Sequence, residues 1–215
     1  MSLKINEIFY SIQGESLYAG LPCVFIRLTG CNLRCAYCDT RYAYEEGVVT
    51  PIPEIIGRVA SYPHVSLVEV TGGEPLLQDK TPLLIQELLS RRYTVLMETN
   101  GSMDISRVDR RCVNILDIKC PSSRMHLHND LSNLGRLHPK DQVKFVIGTR
   151  EDYLYALSIL EQLPPRLPGS HVLFSPVAGA LPPRTLAEWM LKDGSGARLH
   201  LQMHKIIWPE SERGV

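Results

Sequence analysis

Short runs of β-forming residues alternate with helical stretches along the chain, and this alternation restricts the fold more than any other feature. The runs that predict strands are 23–28, 65–70, 93–98, 112–118, 142–147, 171–175 and 197–203. Helices are predicted over 53–61, 81–90, 151–163 and 183–192. Such alternation favours a parallel sheet with right-handed crossovers, and 215 residues with six to seven strands are too few for a closed eight-stranded barrel. We therefore expect an α/β fold, a partial TIM-like barrel of mainly parallel strands with few helices, with a doubly wound sheet as the alternative.

The composition is that of an ordinary globular chain, with 44% hydrophobic and 21% charged residues, and its length suits a single domain over 1–215. The formal net charge is +0 and no basic run stands out, so nucleic acid is not expected as a direct ligand. Lys4 and Glu7 lie where a signal peptide needs an apolar core, and no apolar run is long enough to span a membrane. We expect a cytoplasmic protein, in which clustered cysteines indicate metal binding or catalysis rather than disulfides.

Polar residues cluster just after the predicted strands. These segments are 29–40, 71–75, 99–102, 119–123, 148–150, 175–180 and 204–205. In barrels and open α/β sheets, ligands bind at the carboxyl ends of the strands. All these segments are therefore expected to meet at one mouth.

Three of the six cysteines, Cys31, Cys35 and Cys38, lie within eight residues. Thiolates at this spacing can bind zinc or an iron–sulfur cluster. A structural zinc site needs a fourth protein ligand, and the candidates are His64, Cys120 and His204. A 4Fe–4S cluster held by three cysteines leaves one iron open, which is typical of a reactive centre. The spacing alone leaves both alternatives open.

Two motifs resemble the radical S-adenosylmethionine (SAM) superfamily. One is the C-x-x-x-C-x-x-C spacing with Tyr37 before the last cysteine, and the other is T-G-G-E-P at 71–75, after the second predicted strand. The resemblance implies that the open iron of a 4Fe–4S cluster chelates the amino and carboxylate groups of SAM. It also implies that reduction of the cluster cleaves SAM to a 5′-deoxyadenosyl radical.

A narrower resemblance covers nearly the whole chain. The segments that carry it are 7–16, 24–40, 71–78, 97–102, 117–123 and 202–208. They resemble the 7-carboxy-7-deazaguanine synthase family of queuosine and 7-deazapurine biosynthesis. The resemblance implies conversion of 6-carboxy-5,6,7,8-tetrahydropterin to 7-carboxy-7-deazaguanine by radical ring contraction with loss of ammonia. It further implies a homodimer, regenerated SAM, a magnesium requirement and a flavodoxin-type electron donor.

The resemblance also implies roles for individual residues, with no catalytic group beyond the cluster and SAM. The cluster ligands are Cys31, Cys35 and Cys38, and the Mg²⁺ ligand is Thr40. SAM is expected to contact Tyr37, Asp39, Gly73, Glu74, Pro121, Ser122, Ser123 and Ser175. The substrate is expected to contact Ile12, Gln13, Gly14, Glu15, Arg27, Thr71, Gln202 and His204.

Arg27 stands out within an otherwise apolar predicted strand. Val24, Ile26 and Leu28 alternate with Phe25 and Arg27, so the arginine lies on the second face. A guanidinium inside a barrel is costly unless it is paired, and it suits a substrate that carries a carboxylate. The alternative is a surface arginine on an edge strand.

The sequence leaves the roles of several other polar residues open. The alternative for Thr40 is a helix or turn cap, and the segment 11–16 is also consistent with an ordinary turn. The last predicted strand is expected to carry on one face His200, Gln202 and His204. The residues left without an assigned role are Glu98, Asn100, His126, His128 and the segment 209–215. The cysteines interpreted as buried thiols are Cys23, Cys112 and Cys120.

Two other functions remain open at this point. A glycyl-radical activating enzyme shares the cysteine spacing but acts on a protein backbone, so turnover of the tetrahydropterin separates it from the first hypothesis. A zinc-binding interaction module would contain zinc and no iron, so metal analysis separates it from both enzymes.

Overall fold

A single sheet runs through the computed structural model, which describes residues 1–211 and 213–215. The strands in these ranges are β1 (Ser2–Ile12), β2 (Pro22–Leu28), β3 (Val48–Pro51), β4 (Leu67–Gly72), β5 (Thr94–Thr99), β6 (Val113–Ile118), β7 (Gln142–Ile147), β8 (Val172–Pro176) and β9 (Arg198–Leu199). Their order across the sheet is β3-β1-β2-β4-β5-β6-β7-β8-β9. β1 is antiparallel to β2 and β3, whereas β2 and β4 to β9 are parallel. Because β3 and β9 are the two edges, the sheet is an open, partial barrel.

In the described ranges, the helices that pack on the outer face of this sheet are α1 (Ile52–Ala60), α2 (Thr81–Ser90), α3 (Arg150–Leu160) and α4 (Pro183–Asp193). The short α5 (Met203–Ile207) instead contributes residues to the inner cavity. A proline in the first turn starts α1, α2 and α4, and a capping box of Thr149 and Asp152 starts α3. Ile55 of α1 and Leu84 of α2 are fully buried in the main core. No helix in these ranges has both the length and the hydropathy to cross a bilayer.

The strands present different side chains to their two faces. On the outer face, Val24, Ile26 and Leu28 of β2 are fully buried in the core shared with the helices. A second apolar cluster forms a floor on the inner face and consists of Cys23, Phe25, Leu67, Leu96, Val113 and Ile115. Inward positions nearer the carboxyl ends of the strands are polar, namely Arg27, Thr71, Glu98, Asp117 and Lys144. Polar side chains are therefore concentrated towards the carboxyl ends of the strands, and Glu69 is an exception within the apolar layer.

The predicted parallel strands β2 and β4 to β8 are confirmed, and the partial barrel rather than a doubly wound sheet is the observed form. The antiparallel strands β1 and β3 lie outside the prediction. The alternation of Leu3 and Ile5 with Lys4 and Asn6 is the signal that could have identified β1. β3 has four residues and no such pattern, so it was harder to recognise.

A strand lies within the predicted range 197–203, but it is shorter than expected, because β9 contains two residues and the chain then leaves the sheet. Gln202 precedes α5, and the Met203 N–H donates to the Gly14 carbonyl over 2.9 Å. This bond attaches the start of α5 to the loop after β1. The residues predicted to share a strand face are therefore not on one strand, namely His200, Gln202 and His204.

Candidate active site

One cavity of ≈ 970 Å³ lies at the carboxyl ends of the parallel strands. The predicted site residues that line it are Ile12, Gly14, Glu15, Arg27, Cys31, Cys35, Tyr37, Cys38, Asp39, Thr40, Thr71, Gly73, Gln202 and His204. Those that lie behind its wall are Gln13, Glu74, Pro121, Ser122, Ser123 and Ser175. The segments after the strands thus converge on a single site, although some of their side chains point away from it.

The cysteine loop follows β2 and packs against the glycine pair that follows β4. A Cβ on Gly73 would lie 2.2 Å from the Gly30 carbonyl oxygen and 2.6 Å from the Cβ of Cys31. The N–H of Glu74 donates to the same carbonyl over 2.8 Å. Gly30 has φ 103, a conformation that favours glycine. Close backbone packing therefore fixes the start of the cysteine loop.

The cysteine thiols have the character of ligands. Cys31, Cys35 and Cys38 are partly exposed in the cavity, and the buried cysteines are Cys23, Cys112 and Cys120. Burial raises the pKa of Cys31 and Cys35, so a bound cation is needed to hold them as thiolates near neutral pH. Cys31 Sγ also accepts from the Leu33 N–H at 3.4 Å and from Asn100 Nδ2 at 3.8 Å.

The three thiols are the candidate cluster ligands of this site. A 4Fe–4S cluster is bound through different irons, one by each cysteine, so its ligands need not meet at a single metal position. Among the described residues, no three His, Cys, Asp or Glu side chains are grouped around one such position. His126 and His128 form no metal group either, and His126 packs edge-on against Tyr155.

Glu74 has a structural role in this fold. Its side chain is fully buried and accepts from the Leu76 N–H at 2.9 Å, the Thr99 hydroxyl at 2.9 Å and the Asn100 N–H at 2.7 Å. These bonds join the turn after β4 to the end of β5. The carboxylate predicted to contact SAM is thus already hydrogen-bonded to protein groups. The part of this turn that faces the cavity is the backbone at Gly72 and Gly73.

The predicted SAM turn Pro121–Ser123 supports the cysteine loop from behind. The Ser123 carbonyl accepts the Ala36 N–H over 3.0 Å, and the Ser123 side chain is fully buried. The Ser122 N–H donates to Asp152 Oδ1 over 2.8 Å, which anchors the turn to α3. The side chains of this turn therefore hold the wall rather than line it.

Ser175 occupies a similar place in β8. Its hydroxyl is buried and has no hydrogen-bond partner among the described residues. Val177 and Ala178, two and three residues further on, line the cavity. The segment that follows β8 therefore reaches the site, while the serine itself lies deeper.

The segment between the last cysteine and the next turn brings three polar groups to the cavity. The Tyr37 hydroxyl donates to the Val146 carbonyl over 3.2 Å, and the Thr40 hydroxyl donates to Asp39 Oδ1 over 3.0 Å. Lys205 Nζ lies 2.7 Å from Asp39 Oδ2. Burial favours the neutral acid, but Lys205 outweighs it and the pKa of Asp39 is lowered. The Thr40 side chain makes no capping bond to the following turn, so its oxygen is available in the cavity.

Arg27 is paired, as a guanidinium on the inner face must be. Its Nε lies 2.7 Å from Glu7 Oε1, which also accepts from the Tyr42 hydroxyl over 3.1 Å. The guanidinium carbon lies 5.7 Å from the centre of the Phe9 ring. Burial opposes the charged form, but Tyr42 and Glu7 outweigh it and raise the pKa of Arg27. Arg27 is thus a permanent cation in the cavity wall.

A buried lysine joins several acids deeper in the site. Lys144 Nζ lies 2.7 Å from Glu15 Oε2 and 3.8 Å from Asp117 Oδ2, and it also contacts Glu98. Lys119 Nζ lies 2.8 Å from the same Asp117 oxygen. Burial opposes ionisation of Glu15, yet the charge of Lys144 prevails and lowers the pKa of that carboxyl. Glu15 is therefore a fixed anion that faces the cavity.

These charged partners are absent from the sequence interpretation. The missed residues are Glu69, Asp117, Lys119 and Lys144. For Glu69, Asp117 and Lys144 the signal is a charge at an inward position of an apolar strand, as in Q-V-K-F-V-I for Lys144. Gln13 was expected at the substrate, but its Nε2 donates to Glu69 and its Oε1 accepts the Glu15 N–H over 2.8 Å.

The C-terminal region forms a further part of the cavity wall. Gln202 Nε2 donates to Glu15 Oε1 over 2.7 Å, and His204 lines the cavity beside Gly14. Residues of the segment without a predicted role also line the cavity, namely Pro209, Ser211, Arg213, Gly214 and Val215. Arg213 pairs with Glu46 at 2.9 Å.

An open parallel sheet with three free thiols on the loop after its first parallel strand, beside a close-packed glycine pair, defines a radical SAM protein. The sequence profile of the Radical SAM superfamily matches residues 25–120. That superfamily uses a 4Fe–4S cluster and SAM.

Comparison with curated proteins narrows this class. The chain is 48% identical to a 7-carboxy-7-deazaguanine synthase of Chlorobaculum tepidum over 99% of this chain and 97% of the relative. It is 40% identical to a second one, from Koribacter versatilis, over 99% and 100% of the two chains. The chain belongs to the 7-carboxy-7-deazaguanine synthase family. It shares its fold with the crystal structure of QueE from Escherichia coli, with a TM-score of 0.80, 24% identity and 94% of each chain covered.

Proposed function

We propose that this chain converts 6-carboxy-5,6,7,8-tetrahydropterin to 7-carboxy-7-deazaguanine by radical ring contraction, with loss of ammonia, in 7-deazapurine biosynthesis. Family membership carries the proposal, and one observation of the structure supports it. The cavity that receives the three cysteines also contains Arg27 and Thr40, two groups that suit a carboxylate substrate, directly and through a metal ion.

The cluster and SAM would be held at the cysteine end of the cavity. Cys31, Cys35 and Cys38 are the proposed cluster ligands, and Tyr37, Asp39 and the backbone at Gly73 are proposed to contact SAM. When bound, the cluster and SAM supply one-electron reduction and hydrogen abstraction by a 5′-deoxyadenosyl radical. The other proposed SAM residues support this wall through their packing, namely Glu74, Pro121, Ser122, Ser123 and Ser175.

The substrate would bind between Arg27 and the C-terminal region. Arg27 offers a permanent cation to the substrate carboxylate, and Thr40 offers a hydroxyl oxygen to a Mg²⁺ that shares that carboxylate. Glu15 is an anion that accepts from N–H groups of the pterin ring. The remaining proposed substrate contacts are Ile12, Gly14, Thr71, Gln202 and His204. Gln13 is proposed to act indirectly, through its hydrogen bonds to Glu15 and Glu69.

The assembly and partners of the enzyme follow from the family resemblance. We infer that residues 1–215 act as one domain and that two copies form a homodimer. A flavodoxin-type protein is the proposed electron donor.

An anaerobic assay with the tetrahydropterin, SAM, Mg²⁺ and a reductant tests the function. We expect brown protein with about four irons per chain after reconstitution, and formation of 7-carboxy-7-deazaguanine with 5′-deoxyadenosine. Cleavage of SAM without conversion of the pterin would refute the proposed reaction and favour a protein-activating radical enzyme. One zinc per chain without iron would refute the enzymatic function itself.

A further inference from the structure

Glu69 is a carboxylic acid in a layer of the sheet that is otherwise apolar. It lies on β4 in register with Phe25 of β2 and Leu96 of β5, both members of the apolar floor. The residue is 3% exposed, and it lines the cavity. A carboxylate at this depth loses its hydration, so its charge must be compensated or removed.

The other carboxylates that line the cavity are each paired with a cation, and so is Glu7 beside them, whereas the buried Glu74 behind the wall is held by three hydrogen-bond donors. The pairs are Glu7–Arg27, Glu15–Lys144, Glu98–Lys144, Asp117–Lys119 and Asp39–Lys205. Within the part of the chain that the structure describes, Glu69 makes no such ion pair, and its hydrogen-bond partner is the neutral amide of Gln13. A buried acid among anions and without a cation of its own binds a proton instead.

The titratable groups that surround Glu69 come from several elements of the sheet interior. They are Glu15 after β1, Cys23 and Arg27 on β2, Glu98 on β5, Cys112 just before β6 and Lys144 on β7. Burial and then the negative charges of Glu98 and Glu15 raise the pKa of Glu69 to about 8, against the opposing effect of Gln13 and Lys144. The raised pKa of Glu69 agrees with its lack of an ion pair among the described residues.

The Gln13 amide determines which oxygen of Glu69 carries the proton. The Glu15 N–H donates to Gln13 Oε1 over 2.8 Å, so Gln13 Nε2 must face Glu69 and donate to its Oε2. The Oε2 atom is therefore an acceptor, and the proton resides on Oε1. We propose that Glu69 is a neutral acid that donates a hydrogen bond from this second oxygen to an acceptor atom of the bound pterin.

This inference, which rests on the proposed function, gives the site two acids with opposite hydrogen-bonding roles. Ionised Glu15 accepts from pterin N–H groups, while neutral Glu69 donates to a ring nitrogen or carbonyl oxygen. A ring with a different order of donors and acceptors would leave one of the two acids unsatisfied. Glu69 is therefore a specificity-determining residue for the ring.

Substrate binding tests the proposal with three variants of the reconstituted enzyme. Kd for the tetrahydropterin is measured anaerobically from pH 6 to pH 9. Wild-type affinity should fall above pH 8, by about tenfold per unit, because the ionised acid no longer donates. Glu69→Gln keeps a neutral donor and should bind without this fall. Glu69→Leu should lose about 10- to 100-fold at pH 7.

Cys23→Ala is the matched control, since Cys23 is a titratable neighbour on the adjacent strand, and its pH curve should match that of the wild type. Glu69→Leu binding as tightly as the wild type at pH 7 would overturn the proposal.

Difference infrared spectroscopy measures the proton without the substrate. The spectrum of the wild type minus Glu69→Gln should show a protonated carboxyl band at pH 7 that disappears as the pH rises through about 8. Its absence at pH 7 would refute the neutral acid, whether or not the pterin binds. Failure of the wild type to bind the tetrahydropterin would instead refute the proposed substrate and leave the infrared result intact.

Discussion

Replacement of Gly73 by alanine tests whether close backbone packing fixes the cysteine loop. The new Cβ would lie 2.2 Å from the Gly30 carbonyl oxygen and 2.6 Å from the Cβ of Cys31. Both neighbours belong to the backbone or its first side-chain atom, so neither can turn away as a flexible side chain could. The loop would have to retreat by roughly 1 Å to restore an ordinary contact.

The cost follows from these contacts. Overpacking of this kind costs about 1–3 kcal/mol, and displacement of the Gly30 carbonyl also breaks the 2.8 Å bond from the Glu74 N–H, which contributes about 1 kcal/mol. We therefore expect Gly73→Ala to lower the free energy of unfolding by about 2–4 kcal/mol. Because Cys31 moves with the loop, iron uptake should also fall.

Urea unfolding of the reduced apoprotein measures the first effect, and iron content after anaerobic reconstitution measures the second. Gly57→Ala is the control, because Gly57 lies in α1 and a Cβ added there would have no neighbouring atom within 4 Å. That change should raise the free energy of unfolding by about 0.5–1 kcal/mol and leave iron uptake unchanged. Equal unfolding midpoints and equal iron content for Gly73→Ala and the wild type would refute the role of close packing.

Three further variants test other parts of the site. Cys35→Ala should abolish 5′-deoxyadenosine formation while the circular dichroism spectrum stays that of the wild type; retained SAM cleavage would contradict the ligand assignment. Thr40→Ala should weaken the dependence of turnover on Mg²⁺ without loss of iron, and an unchanged Mg²⁺ titration would show that this hydroxyl is not a ligand. Lys144→Met should lower the free energy of unfolding at pH 7 by about 3–5 kcal/mol, because it leaves buried carboxylates without their cation. With Lys144 present, the pKa of Glu15 is lowered, so its stabilisation is present above the unfolded pKa and is lost as the pH falls. Without Lys144 the carboxylates should bind protons on folding, so the loss relative to wild type should shrink at pH 4, and an equal loss at both pH values would contradict this account.

The sequence predicted the parts of the fold that depend on local pattern. The cysteine spacing and the glycine pair are contiguous motifs, and the strands β2 and β4 to β8 are short apolar runs. Partners across strands could not be predicted in the same way. Lys144 meets Asp117 because those residues are in register between β6 and β7, and a register is not visible in either strand alone.

The sequence also does not predict in which direction the side chains that follow the strands point. Glu74 follows β4 as a cavity residue should, but the turn at Pro75–Leu77 directs its carboxylate to the N–H groups of Leu76 and Asn100. The alternation over 197–203 predicts a strand, but the chain leaves the sheet after Leu199. The Met203 N–H then donates to the carbonyl of Gly14, a residue far away in the sequence. Such choices depend on contacts between distant segments.

The contact between the two ends of the sequence has a consequence for biosynthesis. The Gln202 side chain reaches Glu15 across 187 residues, whereas the cysteines and their glycine support lie between 30 and 73. During translation, the cysteine loop and the first strands therefore emerge long before the C-terminal part of the cavity wall can form. We expect a nascent chain to present its thiols openly to the machinery that delivers iron and sulfide. The pterin site should become functional only after residues 202–205 have left the ribosome.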